Sequence, residues 1–123
     1  MEIKDAQEKI KEFDIARGWK NNWNIKDLLL NITEEGGEFW NLIKWIDDEK
    51  QRKVVGEHKD EVSDYVGDTM FLLLKIANQA GINSEKALQN TLDEYEKRMP
   101  SGVMKKVGHA NKLAGGHDDK TAI

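Results

Sequence analysis

Five carboxylates fall at spacings that suit an all-oxygen site for a divalent cation. Glu35 and Glu38 lie three residues apart, and Glu61, Asp64 and Asp68 follow at i, i+3 and i+7. On helices each set projects from one side over one or two turns. With Glu35 at zero on a wheel advancing about 100° per residue, Leu28, Ile32, Phe39, Leu42 and Ile46 fall within about 60° of it, so this acid occupies an apolar stripe. Burying a lone carboxylate is costly unless a cation or metal compensates it; the alternative is a partly exposed acid at the edge of a helix end. The neighbouring Gly36 and Gly37 disfavour a helix and predict close approach by another group.

The second set has an alternative of equal weight. Val62, Val66, Thr69, Leu73, Ile76 and Ala80 form an apolar set on the opposite side, which would leave Glu61, Asp64 and Asp68 as a solvated face. Against that, the acidic line continues into Phe71 and Leu72, and a helix apolar nearly all round beyond Met70 is normally enclosed on both sides. Facing each other on neighbouring helices, the two sets would make a pocket for a hard ion, Mg²⁺ or Mn²⁺. A di-iron bundle needs Glu-x-x-His pairs, and the residues three before His58, His109 and His117 are Val55, Lys106 and Ala114. The absence of cysteine excludes disulfides, thiolate metal sites and a Cys nucleophile, and suits a reducing compartment.

The elements that must position these acids are helices. The 123 residues fit one domain, and 38% hydrophobic residues with 4 Trp and 3 Phe suffice for a small core despite 34% charged residues. The single proline, Pro100, leaves the first hundred residues free to form helices rich in Glu, Lys, Leu and Ala. Periodicity predicts a first helix over about 3–17, stopped by Gly18, and a second from an Asn24 N-cap to about Asp47. The polar stretch 47–53 reads as a loop or frayed end. A third helix runs over about 57–80 with Gly81 as its stop, and a fourth, capped by Asn83 or Ser84, ends before Pro100. The expected fold is an all-α, four-helix antiparallel bundle or a close variant over residues 1–100. Residues 101–123, rich in Gly and Lys, read as a tail that is flexible or folds over the site.

The formal charge of -4 speaks against nucleic acid or an anionic membrane as partner. The opening MEIKDAQEKI lacks the apolar run of a signal peptide, and the longest apolar run, Met70 to Leu74, is far short of a bilayer span. A soluble cytoplasmic protein is expected.

The carboxylates and their context resemble the MazG-type all-α nucleoside triphosphate pyrophosphatases, which include dimeric dUTPases and dCTP pyrophosphatases. The family motif EExxE, spacer, ExxD is matched by Glu34-Glu35-Gly36-Gly37-Glu38, a spacer over 39–60, and Glu61-Val62-Ser63-Asp64. LLLNITEEGGEFWNLIKW is similar to the helix that opens the family core, and DEVSDYVGDTMFLLLKIANQAGINSEKAL to the ExxD helix and its link onward; the resemblance covers about residues 15–100.

The resemblance implies hydrolysis of a nucleoside triphosphate between the α and β phosphorus atoms, giving a monophosphate and pyrophosphate. It implies Glu35, Glu38, Glu61 and Asp64 as Mg²⁺ ligands, with Glu34 orienting water and Asp68 as a further ligand or an acceptor behind the ligands. A triphosphate would be repelled by bare carboxylates, so the acids serve it only by holding cations that screen the phosphates and activate water. Trp19 matches an aromatic that stacks near the base, with Asn22 or Trp23 as further contributors; the alternative is that Trp19 caps the core. Lys97 and Arg98 match basic residues that hold phosphates, or else are cations suited to a helix C-terminus. The chain departs from many relatives in having Leu92 and Glu94 where Asn and Lys are common.

The family builds its site within homodimers or homotetramers, and Trp40, Trp45 and Ile46 would suit a partner helix. Two other readings remain open at this point: a non-catalytic oligomeric helical bundle whose acids form a solvated face, and a phosphoribosyl-ATP pyrophosphatase of the same fold.

Overall fold

The computed structural model of the chain describes residues 1–19 and 23–107. Among them are six α-helices and no strand: α1 (Ile3–Ala16), α2 (Ile25–Ile43), α3 (Asp48–Glu57), α4 (Lys59–Ala80), α5 (Ser84–Arg98) and α6 (Ser101–Val107). The all-α class expected from the sequence is the class observed.

Local chemistry sets most of the boundaries. α1 closes where Gly18 takes φ 68°, a left-handed conformation that costs glycine little. Asn24 caps α2 by accepting the Asp27 N–H through Oδ1 at 2.9 Å. α4 ends at Gly81, φ 67°, and the Ile82 N–H returns to the Ala77 carbonyl at 2.9 Å. α5 stops at Arg98, ahead of Pro100.

Two segments differ from the sequence expectation. The stretch after Asp47 is a helix, α3, and α2 ends at Ile43 instead of continuing to Asp47. Asp47 is committed to capping α3, its Oδ1 accepting the Lys50 N–H at 2.9 Å, while Asp48 and Glu49 sit favourably against the N-terminal dipole. This stretch has no buried apolar stripe, and its helix rests on these end effects instead. The second difference is α6, a short helix at the start of the expected tail, where the Pro100 carbonyl accepts the Val103 and Met104 N–H groups. Residues 108–123, with His109, Lys112, Lys120 and the GGHDDK run, lie outside the described residues.

The chain forms two compact units, Met1–Ser84 and a second beginning at Glu85. In the first, α2 and α4 pack most extensively and run antiparallel: Gln79 binds the Trp23 carbonyl just before α2, Phe39 meets Tyr65, and Leu42 shares a cavity with Glu61. α1 packs on the C-terminal half of α4, where Asn78 Nδ2 donates to the Gln7 carbonyl at 3.1 Å and Phe13 meets Phe71 edge-on.

Leu28, Leu72, Leu74 and Ala77 are the buried apolar side chains among the described residues. The buried residues of α4 thus do not keep to one of the two sides: Leu72 continues the acidic line, whereas Ala77 lies on the opposite side. Leu73 and Val66, from the apolar set placed opposite the acids, are about half exposed in the single chain, at 51% and 48%. Trp40 and Trp45 are exposed as expected, whereas Ile46 is half-buried. Among the described residues no helix is long and apolar enough to cross a membrane.

Candidate active site

Glu35, Glu38, Glu61, Asp64 and Asp68 line one cavity of about 310 Å³ between α2 and α4, floored by Phe39, Leu42 and Tyr65. The antiparallel register produces this meeting: Phe39 and Tyr65 contact with ring centroids 5.2 Å apart, which puts Glu35, one turn before Phe39, level with Asp68, about one turn after Tyr65, while Glu38 and Asp64 each adjoin the contact. All five acids border this one cavity, with Glu35 half-buried and Glu38, Glu61, Asp64 and Asp68 exposed in the single chain.

Glu35 is half-buried, and its pKa is raised above the ordinary carboxyl value, first by burial and then by the charges of Glu38, Asp68, Glu34 and Asp64. No lysine or arginine among the described residues lines this cavity. The His58 ring meets Glu61, with Nδ1 3.0 Å from Glu61 Oε1. Among the described residues no three acids or histidines close on a single point as their side chains stand; the carboxylates border a space. The donor set lining the cavity is nonetheless all carboxylate oxygen and mutually repelling, which fits a hard divalent ion.

The remaining predicted residues fall elsewhere. Glu34 is exposed and outside the cavity lining, though its charge reaches Glu35. A Cβ built at Gly36 or Gly37 meets nothing within 4 Å, so among the described residues the close approach predicted there does not occur. Trp19 is half-buried in an aromatic cluster beside α4, stacked on Trp23 with centroids 5.5 Å apart and meeting Phe13 edge-on at 5.9 Å. Asn22 lies outside the described residues. Lys97 and Arg98 end α5 in the second unit, with Arg98 Nη1 at 3.5 Å from Glu94 Oε1.

Sequence reasoning missed two participants. Lys75, a lone cation inside the apolar run Phe71 to Ala77, is buried and bonded to Asp14; its position seven residues beyond Asp68, on the same side of α4, was the available signal. His58, which lacks the Glu-x-x-His context of a di-iron ligand, stands three residues before Glu61 and within reach of that acid.

Comparison with known proteins follows the same lines. Residues 24–103 match the MazG nucleotide pyrophosphohydrolase domain. The chain is 27% identical over 79 residues to the Gene 37 protein of Mycobacterium phage L5, covering 64% of this chain and 69% of the phage protein. In fold it is similar to the crystal structure of a pyrophosphatase from Archaeoglobus fulgidus, with a TM-score of 0.70, 24% identity, and coverage of 79% of this chain and 91% of the archaeal one.

Proposed function

Because this chain belongs to the MazG nucleotide pyrophosphohydrolase domain family, hydrolases acting on pyrophosphate bonds, we propose that it is a Mg²⁺-dependent enzyme cleaving a nucleoside triphosphate, ribo or deoxy, between the α and β phosphates. The observation that carries this reading is the cavity between α2 and α4, bordered by five carboxylates and, among the described residues, by no lysine or arginine. A site of that charge would repel a polyphosphate unless cations intervened, so its composition is explained by metal binding and not by direct substrate binding.

In this reading Glu35, Glu38, Glu61 and Asp64 hold the metal, with Mn²⁺ a competent substitute, and Asp68 serves as a further ligand or accepts a hydrogen bond from a ligand. When bound, the metal supplies charge neutralisation at the phosphates and a water of lowered pKa. Glu34, exposed beside the site, orients the attacking water. The raised pKa of Glu35 makes it the member of the set best suited to keep or receive a proton when no cation is near. Phe39, Leu42 and Tyr65 supply the apolar part of the cavity lining beside the carboxylates. Trp19 is assigned to the base, and Lys97 and Arg98 to phosphate oxygens, on their positions in the family motif.

A homodimer or homotetramer is part of the proposal. Leu29, Leu30, Trp40, Trp45 and Leu73 are each more than half exposed in the single chain, a density of large apolar side chains that a partner helix would cover. Assay of ribo- and deoxyribonucleoside triphosphates and of phosphoribosyl-ATP for pyrophosphate release, with and without Mg²⁺, tests the reading. Metal-dependent release from at least one triphosphate is expected, and inertness of the whole panel would return the chain to a non-catalytic bundle.

A further inference from the structure

Lys75 is 2% exposed, the buried charged residue among those described. Its Nζ donates to Asp14 Oδ1 at 3.1 Å and lies 3.9 Å from the ring centroid of Trp23, 5.4 Å from that of Trp19 and 5.1 Å from that of Phe71. The two indoles stack with an interplanar angle of 28°. The backbone repeats the arrangement. The Trp19 N–H donates to the Asp14 carbonyl at 2.8 Å, and Gln79 Nε2, one turn beyond Lys75, donates to the Trp23 carbonyl at 2.6 Å. Asp14 thus holds Trp19 through its carbonyl and Lys75 through its carboxylate, while α4 holds Trp23 by both ring and backbone.

A buried ammonium is a poor way to fill a core. Desolvation offsets most of what the ion pair contributes, and a methionine would occupy similar volume without that cost. What the ammonium adds is direction, through attraction to two ring faces and one aimed hydrogen bond. Both indoles remain half-buried, and a cavity of about 500 Å³ bordered by Asp14, Trp23, Asn24 and Lys75 opens beside the stack. Lys75 stands seven residues beyond Asp68 on the same side of α4, about 10 Å along the axis. We propose that Lys75 is a positioning residue, fixing the Trp19–Trp23 stack along the same helix that carries Glu61, Asp64 and Asp68, so that one rigid element sets the distance between base contact and carboxylates. The proposal rests on the reading of Trp19 as a base contact.

The test uses the full chain and removes both charges, Lys75→Met with Asp14→Asn, so that no unpaired carboxylate remains to unfold it. Two readouts apply: the exciton couplet that stacked indoles give in circular dichroism, and steady-state kinetics with whichever triphosphate the wild type cleaves. The expected result is native helix content, a couplet reduced at least about twofold, and KM raised about tenfold with kcat within about twofold, the pattern of lost binding rather than lost chemistry. A folded double variant with the wild-type couplet and wild-type KM overturns the assignment and leaves Lys75 a packing residue. Trp19→Ala separates this from the underlying reading: an unchanged KM there overturns Trp19 as a base contact, while the couplet of the double variant still decides what Lys75 does.

Discussion

Phe39 of α2 and Tyr65 of α4 meet with ring centroids 5.2 Å apart and an interplanar angle of 58°, and this contact sets the register that brings Glu35 and Glu38 opposite Glu61, Asp64 and Asp68. Aromatic pairs of this tilted kind contribute about 0.5–1.5 kcal/mol beyond the area they bury. Phe39 is half-buried, so Phe39→Ala is expected to cost about 2 kcal/mol, below the range for fully buried phenylalanines. Urea unfolding followed by circular dichroism measures the loss, and Phe39→Leu should recover more than half of it.

The crowding of carboxylates predicts a gain of stability when one is neutralised. Burial, followed by the charges of Glu38 and Asp68, raises the Glu35 pKa, so its folded-state value lies above its unfolded one. The stability Glu35 contributes in its protonated form is fully present below the unfolded value and is lost as pH rises through the raised folded value. In metal-free protein at neutral pH, Glu35→Gln should therefore raise the melting temperature. The same variant should lose the stabilisation that Mg²⁺ gives the wild type, because a ligand of the folded state stabilises only while its site is intact. Melting curves with and without Mg²⁺ check both halves.

The exposed tryptophans predict an assembly contact. Trp45 is 87% exposed and Trp40 59% exposed, so removing either sacrifices little within one chain. Trp40→Glu is expected to keep native helix content while shifting the species seen in sedimentation velocity towards the monomer. An unaltered sedimentation coefficient would place the contact elsewhere.

Gly81 supplies a control that touches no part of the site. At φ 67° a side chain is strained by roughly 1 kcal/mol, although a Cβ there would meet nothing within 4 Å. Gly81→Ala should lower stability by about that amount and leave pyrophosphate release unchanged.

What the sequence revealed, and what it withheld, divides along physical lines. Asn24, Gly18 and Gly81 act through their own backbone or the next turn, and each marks the helix end it was read to mark. α3 escaped because its helix rests on Asp47 as cap and on charges near its ends, while periodicity detects only buried stripes. The acids of α2 and α4 were legible as two lines of matching spacing. Their shared cavity depended on a register set by Phe39 and Tyr65, which no single-helix pattern contains. Leu73 and Val66, legible as part of an apolar set opposite the acids, are about half exposed, because periodicity reports apolar character and not which surface covers it. Lys75 was withheld for a related reason: its partners Asp14, Trp19 and Trp23 are more than fifty residues away in sequence.

The central claim is that the cavity between α2 and α4 holds the metal for hydrolysis of a nucleotide pyrophosphate bond. Pyrophosphate release by Glu38→Gln and by Asp64→Asn, measured beside the wild type at saturating Mg²⁺, tests it most directly. Removing a charged ligand from each helix in turn should reduce turnover by at least about a hundredfold, the scale on which loss of one transition-state contact is felt, with helix content preserved. Turnover within about twofold of the wild type in both variants would contradict the assignment.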